Sequence, residues 1–368
     1  MSAKPDHRPG SLAMRTDQQF FQCLEKAQRL SRAAIAKMTG ISKPTVSESA
    51  QRLTEKGLIK TASDMDNVSS KRPSVIYEIN PDFGALLSLA LEENATWIRI
   101  TDFTGNTLSE EFVTYSKGRL QADFVQDMFT ITDKTLKATN APLLATGVSV
   151  ADPVSPVTGN VLALPHSPFP LAHGLQLAQL LGDRYQCPVT VDNDVNWATL
   201  MEYVNSGCEN FAYIHLGRGI GCGLMLNGNI VRGADGMAGE IGYVRLGTAP
   251  PLLESLYTEH FYEMALTPGN ALPAEVLNAT GKVVAATCVL TNPEKVVLGG
   301  QLCHHPALQA CIEDALASNI AGTAISVTSE PEKAPLYGAS AGARELALEK
   351  LALLDPAAPV LRGYSRNV

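Results

Sequence analysis

No apolar run of roughly eighteen residues, the length that crosses a bilayer, occurs in this 368-residue chain, so no transmembrane helix is expected. The opening residues, MSAKPDHRPGSLAMRTDQQFF, lack the apolar core of a secretory signal, and a cytoplasmic location is expected. Cysteine is sparse. The seven residues Cys23, Cys187, Cys208, Cys222, Cys288, Cys303 and Cys311 are scattered and odd in number. That pattern excludes a disulfide framework and reads as reduced core thiols. What remains is ordinary globular composition, 45% hydrophobic and 18% charged, with enough chain for two or three domains.

A net charge of −8 argues against a nucleic-acid partner only if the chain is one unit. Residues 1–80 hold thirteen Lys and Arg against eight Asp and Glu, a net of +5. The remainder holds sixteen against twenty-nine, a net of −13. A basic head on an acidic body implies that the head alone meets a polyanion.

The head carries a recognisable pattern. Thr16–Ala27 reads as a helix with Phe20, Leu24 and Ala27 on one face. Ser31 then caps a short helix whose Ile35 and Met38 are expected to face inward and which Gly40 stops. Ser42 caps the next helix, SKPTVSESAQRLTEKG. There Pro44 is tolerated in the first turn, and Val46, Ala50 and Leu53 form a buried stripe that ends before Gly57. Two short helices joined by a tight glycine turn suit a helix-turn-helix. The second would present Ser42, Lys43, Thr45, Ser47, Gln51 and Arg52 to base edges and phosphates in a major groove. Strands at Leu58–Thr61 and Ser74–Ile79 would form a wing, with Lys71 and Arg72 at its base reaching phosphates or a minor groove. Double-stranded DNA is the expected partner. A winged module that contacts protein is the alternative.

From Phe83 the pattern alternates. LLSLALEE, WIRITDF, LLATGVSV, PVTVDND and FAYIHLG are β-rich, whereas LQADFVQDMFTITDKTLKA and LAHGLQLAQLLGDRY are helical. This is an α/β body, with ligand sites expected at the carboxyl ends of strands.

The blocks VDNDVNWATLMEY and FAYIHLGRGIGCGLMLNGNIVRGADGMAGEIGY resemble the ROK family (repressors, open reading frames, kinases), a branch of the actin-like, sugar-kinase, ribonuclease H-like ATPase fold. The resemblance implies a winged helix-turn-helix over 1–82 and a two-lobed ROK domain. Its first lobe would span 83–192, joined by 351–368, and its second 193–350. It also implies a sugar cleft between the lobes and a homodimer or homotetramer. By resemblance the strand-end Asn193 orients a sugar. Asp194 stands where the kinases hold the general base, and Glu240 and Glu254 accept sugar hydroxyls as charge-assisted bonds. His166 or Ser167, in LPHSP, replaces an Asn that touches sugar in relatives, and Tyr243 could offer a hydroxyl or a ring face.

The departures from the family pattern carry as much information. An Asp-x-Gly-Gly-Thr phosphate turn should fall in LALEENATWIRI, where Ala90, Glu92, Glu93 and Asn94 stand instead. The glycines that admit a phosphate are replaced by acids that repel it. The second phosphate turn, LGRGIGCG, has Arg218 in place of Thr, and VLGGQL keeps Gly299 and Gly300. The family's zinc His is Tyr243 here, and no cysteine lies between it and Glu254. No metal and no cofactor are expected. The expectation is a transcriptional regulator of carbohydrate genes, with a sugar or sugar-phosphate effector and kinase activity lost. The alternatives are a sugar kinase with an appended DNA-binding head and a repressor whose effector is a partner protein.

Overall fold

The computed structural model describes residues 11–62, 75–320 and 322–354. The head opens with α1 (Ser11–Ala27), β1 (Arg29–Ser31), α2 (Arg32–Thr39) and α3 (Lys43–Glu55) and closes with β2 (Ile59–Thr61) and β3 (Ile76–Ile79). Its three strands pair antiparallel in the order β1-β3-β2. The Ser31 and Ser42 side chains accept from the N–H groups of Ala34 and Thr45, each satisfying an orphan donor of a first turn. Gly40 ends α2 in the left-handed region, where a Cβ would be strained. Phe20, Phe21, Leu24, Ile35, Val46, Ala50 and Leu53 fill the core. Two expected inward residues are not there. Met38 is 53% exposed, and Ala27, at the frayed end of α1, is also exposed. The wing residues Lys71 and Arg72 lie outside the described residues.

The body contains two five-stranded sheets among the described residues. The first is built from β4 (Ala85–Leu91), β5 (Ala95–Asp102), β6 (Thr107–Thr114), β7 (Leu143–Val150) and β8 (Val189–Asn193), with α4 (Gln121–Thr135) and α5 (Leu177–Tyr185) between strands. After α6 (Asp194–Ser206) the second sheet takes β9 (Phe211–Leu216), β10 (Ile220–Leu226), β11 (Asn229–Ile230), β12 (Lys295–Gly299) and β13 (Ala324–Val327). Its helices are α7 (Leu252–Ser255), α8 (Glu259–Leu266), α9 (Ala274–Thr291) and α10 (Pro306–Asn319), and α11 (Ala334–Lys350) follows the last strand. The orders are β6-β5-β4-β7-β8 and β11-β10-β9-β12-β13. In both, an antiparallel meander continues into parallel strands, so the two lobes repeat one topology. The first strand of each meander is central. All seven residues of β4 are buried, which is why it reads as a nearly continuous apolar run, whereas β6 is an edge strand with no fully buried residue.

Outer faces are covered by α4 and α5 on the first sheet and by α9 and α10 on the second. The inner faces meet α6 and α11. Trp197 of α6 packs with Phe211, Tyr213 and Val297 of the second sheet, and its Nε1 donates to the Val148 carbonyl of the first at 2.8 Å. Ala343 and Ala347 of α11 pack on Leu86 and Ala145. Residues 334–350, expected with the second lobe, therefore belong against the first sheet. The small residues of this helix permit that approach: a Cβ on Gly338 would lie 1.9 Å from the Trp197 carbonyl oxygen. Residues 355–368 lie outside the described residues.

Head and body share one apolar cluster in which Phe21 meets Phe103 at 5.9 Å and Leu348 and Leu353 join the head core. Gln18 of α1 donates to the carbonyls of Ala352 (3.1 Å) and Leu354 (2.7 Å), and Arg344 of α11 pairs with Glu25 at 2.7 Å.

Candidate functional site

On α3 the exposed face carries Lys43, Pro44, Glu48, Gln51, Thr54 and Glu55. Lys43, Ser47 and Gln51 are spaced four apart, one ridge on the helix surface. Ser42 and Thr45 share a hydroxyl contact of 2.8 Å at the start of the helix, and Ser47 Oγ donates back to the Lys43 carbonyl. Gln51 Nε2 donates to its surface neighbour Glu55 at 2.8 Å. Arg52 does not belong to this ridge. Its guanidinium donates to Asp17 on α1 at 2.6 Å from Nη2, and the Asp17 side chain is 4% exposed. Ser49 Oγ donates to the same carboxylate at 2.6 Å. Arg52 is thus a tie between α3 and α1, not a group free to meet DNA. Sequence reading missed Arg32, which is exposed at the start of α2 with Nη1 3.4 Å from Ser47 Oγ, beside the ridge.

In the body, β8 ends at Asn193, which becomes the N-cap of α6. Its Oδ1 accepts from the N–H groups of Val195 (2.8 Å) and Asn196 (3.3 Å), so the carbonyl is committed to the helix and Nδ2 is the group left to donate. Asp194 follows in the first turn, with Oδ1 accepting from Val195 N–H. Burial pushes the Asp194 carboxyl up to about 7, against that hydrogen bond, and Glu92, Glu240 and Asp152 raise it further. Glu240, just before a 3-10 turn over Ile241–Tyr243, is also pushed up to about 7, by burial and then by Asp152. Burial likewise raises Asp152, and Ser167 and His173 oppose it. The charges of Glu240 and Asp152 therefore reach Asp194, and that of Asp152 reaches Glu240.

Asp152 was missed by sequence reading. It is 1% exposed, two residues beyond β7, and its Oδ2 accepts from Ser167 Oγ at 2.7 Å with His173 Nε2 at 3.4 Å. The available signal was an acid at the carboxyl end of an apolar strand neighbouring β8. Behind the pair Asn193-Asp194, Asp192 accepts from Arg232 Nε at 2.8 Å and from Asn196 Nδ2 at 2.9 Å, tying the strand end to the second lobe.

The remaining expected sugar contacts bridge the lobes. Tyr243 OH donates to the Pro165 carbonyl at 2.5 Å, and His166 Nε2 lies 3.6 Å from Glu254 Oε2. His166 has φ +60, an uncommon conformation for a non-glycine residue. The family's zinc does not fit this arrangement. The ligand His is replaced by Tyr243, whose hydroxyl is engaged, and among the described residues no group of three or more His, Cys, Asp or Glu could hold a metal ion.

A crevice beside Asp194 is lined by Ala90, Leu91, Glu92, Ser149 and Glu332, with no lining residue from the glycine turn LGRGIGCG. Arg218 of that turn pairs with Glu259 and stacks over the Tyr262 ring at 4.5 Å. Burial raises Glu92, Arg218 opposes it, and Glu332 adds to it. The retained glycines answer to local packing. A Cβ on Gly299 would sit 1.8 Å from Tyr213 Oη, and one on Gly300, at φ +80, 2.4 Å from the Leu216 carbonyl oxygen.

The ROK family model matches residues 93–256, and a winged helix-turn-helix DNA-binding model matches residues 15–60. Along the chain, a region similar to the ROK family thus follows a region similar to a winged helix-turn-helix. A xylose repressor of Caldicellulosiruptor bescii is 26% identical over 223 residues, 59% of this chain and 55% of that protein. The chain thus spans about half the length of that curated relative. An N-acetylglucosamine repressor of Escherichia coli O157:H7 is 22% identical over 344 residues, 79% of this chain and 83% of that protein. Among solved structures, a ROK family transcriptional regulator, a homologue of the E. coli MLC protein, superposes with a TM-score of 0.71 at 17% identity, covering 93% of this chain and 99% of the other. A ROK glucokinase from Streptomyces griseus, solved with glucose and AMPPNP, gives 0.56 at 18% identity over 71% of this chain and 100% of the other. At these identities the likeness is one of fold. It extends over the head for the regulator, whereas the kinase match covers less of the chain.

Proposed function

We propose that this chain is a cytoplasmic transcriptional repressor of carbohydrate genes, homo-oligomeric, with an effector sugar bound between its ROK lobes and kinase activity lost. The observation that carries the reading is the connection between its two candidate sites. The helix that starts with Asp194 packs on α11 through Trp197 and Gly342, and the end of α11 docks on α1 through Arg344–Glu25. A ligand that changes the lobe arrangement changes the seat of the DNA-binding head, which is what linkage between two sites needs.

In this reading Ser42, Lys43, Thr45, Ser47 and Gln51, with Arg32 added, face the DNA, and Lys71 and Arg72 extend the contact from the wing. Asn193, Asp194, Glu240, Glu254, His166 and Tyr243, with Asp152 added, face the sugar. The repressor-named relatives and the regulator fold support it. The kinase alternative is opposed by the acids lining the crevice where a phosphoryl group would have to stand. The test is a binding-site selection on random DNA with the purified protein, repeated with a panel of sugars. A preferred operator whose affinity changes with one sugar is expected, and selection without any sequence preference sinks the reading. An ATP-coupled assay over the same panel, with Asp194→Asn as control, should give no Asp194-dependent turnover.

A further inference from the structure

We propose that Glu92 and Glu332 form an acidic gate beside Asp194 that makes the cleft selective for an unphosphorylated, hydroxyl-rich sugar over its phosphate ester. The inference rests on the sugar-sensor reading and adds the ligand's charge class and the residues that set it. Three carboxylates, Glu92, Glu332 and Asp194, line one crevice together with Ser149 and Pro335. Glu92 and Glu332 both reach solvent, although Glu92 is desolvated enough to be raised, and they come from different segments, one from the turn after β4 and the other from the stretch before α11. Asp152 and Glu240 are also close enough to raise Asp194. A phosphate held in the crevice would meet the carboxylates of Glu92 and Glu332.

Several basic side chains near the cleft already face acids. Arg218 pairs with Glu259 and stacks on Tyr262, and Lys117 reaches the same Glu259 at 3.9 Å. His166 faces Glu254 at 3.6 Å and His173 faces Asp152 at 3.4 Å. Arg232 pairs with Asp192, and Lys333, next to Glu332 in sequence, pairs with Glu110 at 2.6 Å. A phosphate ester that drew on one of these groups would break its pair and leave the acid partner exposed to the added charge. Sugar hydroxyls make no such demand. They donate to carboxylates and accept from donors such as Asn193 Nδ2.

A like charge held roughly 6 Å away at an effective dielectric near 40 weakens binding about tenfold. The experiment is a thermal-shift titration of the full chain with matched pairs of neutral monosaccharides and their phosphate esters, on the wild type and on Glu92→Gln/Glu332→Gln. In the wild type a neutral sugar should stabilise the protein and its ester should bind at least about tenfold more weakly. The double variant should lose most of that discrimination, and its unliganded melting temperature reports whether it folds. An ester that binds the wild type as well as its parent sugar overturns the gate, and so does an unchanged ratio in a folded double variant. If no sugar of either kind stabilises the wild type, the sugar reading itself fails and the gate falls with it.

Discussion

At the residue scale, Arg52 and Lys43 share a helix and belong to different jobs. Arg52 joins α3 to a carboxylate that is 4% exposed and that also serves Ser49. Removing the arginine leaves Asp17 buried with one hydroxyl partner, and breaking a buried ion pair costs about 3–5 kcal/mol when neither partner reaches water. Because Arg52 is itself 27% exposed, about 2 kcal/mol is expected for Arg52→Met, read as a lower denaturation midpoint. Lys43→Ala should shift stability by less than about 0.5 kcal/mol. It should weaken operator binding and lower the slope of log affinity on log salt by about one. Equal stability losses in the two variants would refute the division.

The cleft carboxyls make a second residue-scale prediction. Asp194 and Glu240 hold their protons to about pH 7 in the folded protein, against ordinary values of 3.8 and 4.5. The folded state therefore binds more protons than the unfolded state between about pH 4 and 7. Their contribution to stability is present at the acid end, declines as pH rises through that window, and levels off above it. In unliganded protein the melting temperature should fall more steeply from pH 5 to 7 in the wild type than in Asp194→Asn/Glu240→Gln. Parallel profiles would contradict the coupling of these acids.

At the element scale, much was legible because the signals are local. Caps at Ser31 and Ser42, the stop at Gly40, and the strand that ends in Asn193-Asp194 each depend on a few neighbouring residues. Arg52 was misread because a helical wheel separates core from surface without saying where the next helix lies. Ser49 and Arg52 are three apart and point together at α1. Asp152 was missed because its role depends on β7 lying parallel to β8, a contact between distant segments. The three-residue β1 is too short to carry a period, and α11 reads as an ordinary helix until its glycines meet Trp197. Those glycines are testable. A Cβ on Gly342 would sit 2.2 Å from the Trp197 ring, so Gly342→Ala must part α6 from α11 or displace the ring. Overpacking of this kind costs about 1–3 kcal/mol. The gain in helix propensity, about 1 kcal/mol, offsets part of it. A net loss of stability is expected by chemical denaturation, and a stabilised variant would show that the two helices pack loosely.

At the scale of the whole molecule, the charge division and the docking of the head turn two candidate sites into one device. A body with a net charge of −13 repels DNA and leaves contact to the basic head, whose position is fixed by Gln18 on the carbonyls of Ala352 and Leu354, by Glu25 on Arg344, and by Phe21 on Phe103. If the cleft acts on the head through α6 and α11, then loosening this dock removes the communication without touching either binding surface. Couplings between sites usually amount to 1–3 kcal/mol, a change in affinity of about 5- to 150-fold, and they are reciprocal. The sugar that stabilises the wild type best should therefore change operator affinity by such a factor, and saturating operator should change sugar affinity by the same factor. In Gln18→Ala/Arg344→Ala both bindings should persist while both factors contract toward one, measured by fluorescence anisotropy on operator DNA and by calorimetry with the sugar. A double variant that keeps the full wild-type factor would mean that the signal reaches the head by another route, such as a change in subunit assembly, and that α11 only holds the two lobes together.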